Sequence, residues 1–220
     1  MLVEPSGVYD VDEFFDVLRD EPLDRWYKIG NVITVVNAKL EPELSEMSEY
    51  LLASEAAHAG AVVLSRAEEA TEKEMQATIT HLNRALEKVH CGRRLDQEII
   101  RKGSLSLTDA DFAKIQQCGY VQENYQKMDL TEENSFDTVY VMERRMTVEE
   151  ILAGMKKIFA DPSCGEVFRI KGFIQEENGS WIEVNATRHE LQKQPIKEGQ
   201  ELLIVIGERL QEEKIRQYLN

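Results

Sequence analysis

Apolar positions in the first half of the chain come in short runs set between longer stretches of helical spacing. Asn31–Val36 reads NVITVV and Ala61–Leu64 reads AVVL. Their β-branched content and shortness predict buried strands. Met1–Val3 reads as a further strand fragment at the start. Between them, Val11–Leu18 places Phe14, Phe15 and Leu18 at helical spacing, and Leu44–Ala57 continues the helical rhythm. Thr71 with Glu74 three residues on has the spacing of a capping box and opens a long helix to Val89. Nearly all-apolar strands alternating with helices predict a parallel sheet covered by helices on both faces.

The rhythm changes further on. Leu95–Tyr120 is irregular, apart from a short helix opened by Thr108 and Asp111. Residues 121–135 are polar and read as a linker, so the expected domains are 1–120 and 136–220. In the second, Phe136–Met146 alternates as a strand, and Thr147 with Glu150 caps a helix to Ala160. Val167–Ile174 and Trp181–Ala186 flank Asn178–Gly179, a hairpin turn signal. Glu201–Gly207 is a last strand before a helix over Arg209–Leu219. This order predicts a smaller α+β domain with helices on one face of a mostly antiparallel sheet.

Charge narrows the partners. The 220 residues hold 41 acidic against 26 Lys and Arg, a formal charge of −15 spread over both halves. No basic stripe offers itself to nucleic acid or to an anionic membrane surface. The apolar runs stop at strand length, short of a membrane span. Cys91, Cys118 and Cys164 form no C-x-x-C. The expected setting is therefore reducing and cytoplasmic.

Three segments, taken in order, resemble the CobW family of P-loop GTPases, a family associated with metal chaperones. Leu2–Val8 (LVEPSGV) is similar to the family's Walker B strand and following turn. Asn31–Ala38 (NVITVVNA) and Ala59–Glu68 (AGAVVLSRAE) are similar to its next two strands, the second of which ends in the guanine-reading N-K-x-D. FRIKGFI, WIEVNAT and GQELLIVIGERL, within Phe168–Leu210, are similar to its C-terminal domain. No G-x-x-x-x-G-K-[ST] occurs in these residues, so the likeness is to the family without its N-terminal third. The implied fold is an incomplete P-loop GTPase-type parallel sheet followed by a CobW C-terminal-like α+β domain.

The resemblance implies GTP and Mg²⁺ as cofactors and Zn²⁺ or Co²⁺ as cargo. It gives Glu4 the place of the Mg²⁺-holding carboxylate and Gly7 that of the amide meeting the γ-phosphate. Ser65, Arg66 and Glu68 take the base-reading positions, each departing from the Asn, Lys and Asp of the pattern. Arg66 keeps a charge that can stack on a ring; Glu68 keeps a carboxylate on a longer arm. The implied function is a GTP-binding metallochaperone-type protein unable to hydrolyse GTP by these residues alone. The alternative is a non-catalytic protein-binding module, or a subunit needing a separate P-loop-bearing chain. A client metalloprotein and a homodimer are the expected partners, the latter through a β edge at Asn31–Val36. Arg169 and Lys171 share one strand face, near Asn185 and Arg188. They read either as an anion site or as a solvated face balanced by Glu183 and Glu201. His58, His81, His90 and His189 read as structural or surface residues, and Trp26 and Trp181 as packing residues.

Overall fold

The structure is a computed structural model describing residues 1–5, 11–128, 136–142, 146–176 and 178–219. The chain divides into two compact units, Met1–Asp129 and Leu130–Asn220. Among the described residues no helix is long and apolar enough to cross a membrane.

The first unit is built on a parallel three-stranded sheet, β1 (Ile33–Asn37), β2 (Ala61–Ser65) and β3 (Ile99–Ile100), in that order. Val36 and Leu64 pair in register and point into one core with Val62. Helices α2 (Glu46–His58) and α3 (Glu72–Lys88) close that core through Ala53, Ala57, Ile79, Leu82 and Leu86. Ser45 caps α2 through the Ser48 N–H, and the Thr71–Glu74 capping box opens α3. Helix α1 (Val11–Arg19) buries Phe15. Helix α4 (Asp109–Gln116) starts on the Thr108–Asp111 capping box.

Three expectations for this unit are corrected. Met1–Val3 is not a strand: the three side chains are 91, 92 and 45% exposed, and the third strand is Ile99–Ile100 instead. The outer row of β1 is uncovered, with Ile33 39% and Val35 63% exposed, so helices do not cover both faces there. Trp26 does not pack in a core; it is 79% exposed. Of the residues read as linker, 121–126 are tied to the first unit. The Val121 N–H donates to the His58 carbonyl and the Gln126 N–H to that of Val89, at 3.1 and 2.7 Å.

The second unit is a five-stranded antiparallel sheet, β4 (Phe136–Val141), β5 (Glu166–Gln175), β6 (Trp181–Ala186), β7 (Leu191–Ile196) and β8 (Leu202–Glu208), ordered β4-β8-β5-β6-β7. Alternate side chains of β5, β6 and β8 are buried. They meet Ile151, Met155 and Ile158 of α5 (Val148–Ala160) and Ile215 and Leu219 of α6 (Glu212–Leu219). Gly179, at φ +86°, makes the β5–β6 turn that the Asn-Gly pair signals. Strand β7 was not legible: LQKQPI is polar and exposed, and Pro195 suits only an edge.

Candidate functional site

Parallel sheets collect their loops at the carboxyl ends of the strands, where ligands of open α/β folds bind. Here those ends are tied together. The Ala38 N–H donates to the Ser65 carbonyl at 2.9 Å, and Ser65 Oγ to the Val36 carbonyl at 3.3 Å. Arg66 then turns the chain in the left-handed region, at φ +57°, into a single 3₁₀ turn over Ala67–Glu69. Ala67 is buried, which fixes the turn, while Glu68 faces outward.

The loop after β3 comes up against this turn. A methyl group on Gly103 would lie 2.4 Å from Glu68 Oε2, so the glycine makes room for that side chain. Lys102 beside it pairs with both Asp111 oxygens, at 2.9 and 2.6 Å. That ion pair, with the hydrogen bonds from Thr108, holds the Asp111 carboxyl well below its ordinary range. Ser65, Arg66 and Glu68 thus lie on one loop at the carboxyl end of β2, and Gly103 of the loop after β3 lies against Glu68.

Glu4 is exposed and belongs to no strand, and Gly7 lies outside the described residues. A Mg²⁺–triphosphate needs a cradle of backbone amides, a lysine and a fixed carboxylate. The described residues do not fit that group. Nor do they group three His, Cys, Asp or Glu side chains around a metal ion. Cys91 and Cys164 are buried thiols, and Cys118 is half-buried. Burial pushes the Cys118 and Cys164 thiols up, away from the thiolate that ligation or attack requires.

In the second unit Lys171 pairs with Glu183 at 2.9 Å and lies 5.0 Å from the Phe173 ring centre. Arg169 Nε donates to Asn185 Oδ1 at 2.8 Å. Lys171, then Gln194, holds the Glu183 carboxyl below its ordinary range. Glu183 therefore balances Lys171 across strands, as one of the two readings had it, while Glu201, the other acid of that reading, forms no ion pair with Arg169 or Lys171 among the described residues. A cavity of about 200 Å³ in this unit is lined by Leu152, Met155, Phe159, Lys156, Arg188 and His189.

Two polar clusters of the first unit were not found from sequence. His81 Nε2 and Glu49 Oε1 are 2.8 Å apart and buried, joining α3 to α2, with Lys88 at 3.2 Å. His58 and Asp12 meet beside a cavity of about 170 Å³ that Tyr125 and Lys127 also line. The helical positions of His81 and Glu49 are readable, but their pairing joins two helices. Tyr125 gave no signal, being a lone aromatic in a polar stretch.

No family model matches the sequence, and no curated protein matches it. Solved structures that resemble it include the Zn(II)-bound YjiA GTPase from E. coli and a Zn(II)-bound triple mutant of YjiA. Each is 15% identical, with a TM-score of 0.35 over 96% of this chain and 67% of the other. At that identity and score the likeness assigns neither fold nor activity to this chain.

Proposed function

We propose that the chain is a CobW-like, GTP-binding metallochaperone-type protein whose 220 residues bind without hydrolysing. The loop over residues 65–69 is the base-contacting side of a nucleotide site, and the second unit is a platform for a protein client. The observation that supports this is the meeting of Glu68 with Gly103 at the carboxyl end of a parallel sheet. It sets the Glu68 carboxylate, two residues after Arg66, beyond the carboxyl end of β2, the end of an open α/β sheet at which ligands bind. A carboxylate accepts paired N–H groups of a purine such as guanine, and a guanidinium stacks on its plane. Without an amide cradle for the phosphates, most of the affinity of a GTPase site is missing.

Nuclear magnetic resonance titration with GTP, ATP and guanosine tests the reading. GTP and guanosine should shift the amides of residues 65–69 and 101–104 at millimolar concentration, with or without Mg²⁺, and ATP should not. No phosphate should be released. Equal shifts with ATP, or none with guanosine, would remove the base site. GTP turnover that Glu4→Ala abolishes would remove the claim that these residues do not hydrolyse.

A second reading, a non-catalytic protein-binding module, rests on the uncovered apolar row of Ile33 and Val35.

A further inference from the structure

Leu152, Met155, Lys156 and Phe159 share one face of α5, and with the end of β6 and the β6–β7 turn they line the cavity of about 200 Å³. Its lining divides by exposure. Met155 and Ala186 are buried, Leu152 and Phe159 half-buried, and Lys156 and Arg188 exposed. The buried lining is therefore apolar, and cations stand on the exposed side. The turn is held without a ligand. The Thr187 N–H donates to the Glu190 carbonyl at 2.8 Å, and Thr187 Oγ1 accepts the Glu190 N–H at 3.2 Å. The acid in the lining, Glu190, is half-buried, and its Oε1 accepts from Gln192 Nε2 at 2.8 Å.

Strand β7 extends the cationic side. Leu191 pairs with Ala186 and Lys193 with Val184. Ala186 and Val184 belong to the core that α5 closes. Residues directly opposite share a sheet face, so Leu191 and Lys193 stand on the helix-bearing side. Leu191 lines the cavity and is 40% exposed. Among the described residues none of Lys156, Arg188 and Lys193 forms an ion pair. On a chain of formal charge −15, this is a local reversal of sign beside an apolar cavity. The volume equals that of about seven water molecules. It falls below the roughly 300–1,000 Å³ of sites for drug-sized ligands and suits a single large side chain.

We propose that this cavity receives one apolar side chain of a protein client, in a segment whose flanking residues are Asp or Glu. The proposal rests on the reading of the second unit as a client platform and names the chemistry of the client. The apolar side chain displaces water from Leu152, Met155 and Phe159. The flanking carboxylates meet Lys156 and Arg188, and Lys193 further along β7. Each half needs the other. Exposed cations alone hold an acidic segment weakly, and an apolar segment without acids gains no electrostatic steering or register.

Nuclear magnetic resonance on the full chain, titrated with the capped peptide acetyl-Asp-Glu-Leu-Asp-Glu-amide, tests the site. The Met155 methyl and the amides of residues 186–191 should shift together. Raising the salt from low to about 0.5 M should weaken binding several-fold. Replacing the Leu of the peptide by Ser should weaken it about tenfold or more, as should Lys156→Glu combined with Arg188→Glu. Both positions are exposed, so the double variant should keep its melting temperature within a few degrees. Equal binding of the Ser peptide would reduce the interaction to charge alone and overturn the site, as would binding that survives the double variant. Shifts on other strands of the second unit with Met155 unmoved would overturn the site and keep the platform. Silence of the whole second unit towards acidic, neutral and basic Leu peptides alike would remove the platform as well.

Discussion

Gly103 holds its Cα against the Glu68 side chain, so a single added methyl would meet Glu68 Oε2 at 2.4 Å and Glu68 Cβ at 3.0 Å. The obstacle is mostly the end of a flexible, outward-facing side chain, which can swing away. Gly103→Ala should therefore leave the melting temperature within a few degrees, yet move the amide resonances of residues 66–69. Gly60 makes the contrast. A methyl there would meet the Gly119 carbonyl oxygen at 2.2 Å and that of Cys118 at 2.5 Å, both backbone. Gly60→Ala should cost about 1–3 kcal/mol or more in denaturant unfolding. A cost for Gly103→Ala equal to that of Gly60→Ala would mean that Glu68 cannot swing aside as described.

Glu55 predicts a pH dependence of stability. Burial raises its carboxyl from an ordinary 4.5 to about 7. The fold therefore favours the protonated acid. As pH rises from 4.5, the unfolded chain ionises while the folded chain stays neutral, so stability falls until about pH 7 and then levels off. The full effect is at most about 3 kcal/mol. Glu55→Gln should remove that decline and be the more stable protein at pH 8. Identical slopes for parent and variant in urea melts from pH 5 to pH 8 (the window of about two to three units around the folded value) would refute this.

Asn83 predicts a cost of another kind. Its side chain donates to the Ile79 and Leu95 carbonyls, at 3.0 and 3.1 Å, and accepts the Leu95 N–H at 2.8 Å. All lie in a buried site. Asn83→Leu would orphan the Leu95 N–H and carbonyl, at about 1–3 kcal/mol each. The expected loss is therefore several kcal/mol, with β3 exchanging its amides first because the segment leading to it is what Asn83 anchors. A loss below about 0.5 kcal/mol would show that Leu95 finds other partners.

What was legible in the sequence is what local chemistry decides. Thr71 with Glu74, Thr108 with Asp111 and Thr147 with Glu150 all form capping boxes, because both halves of each box lie within one turn. Asn178–Gly179 turns because the positive φ belongs to the glycine itself. Features set by distant partners were not legible. Ile99 and Ile100 make a strand only through pairing with Val62 and Val63. Tyr125 matters through Asp12, 113 positions away. Ser65, Arg66 and Glu68 could be singled out by pattern, but the glycine that accommodates Glu68 could not, since Gly103 comes from another strand's loop.

The open side of β1 carries the last prediction. Among the described residues β1 pairs with β2 alone, leaving one edge without a strand, and Ile33 and Val35 stand exposed on its outer row. An uncharged β-branched edge invites another strand. We expect a second copy of the chain to add there, giving a species near twice the 25.3 kDa chain mass in sedimentation. Each copy brings a formal charge of −15, and that repulsion opposes association. Raising the salt from low to about 0.5 M shortens the screening length to a few ångström and should strengthen the dimer, the reverse of an interface held by ion pairs. Val35→Lys should abolish it while costing the monomer no more than about 0.5 kcal/mol, since Val35 is 63% exposed. A monomer at high protein and high salt, or a dimer that Val35→Lys leaves intact, would show that this edge is not where copies meet.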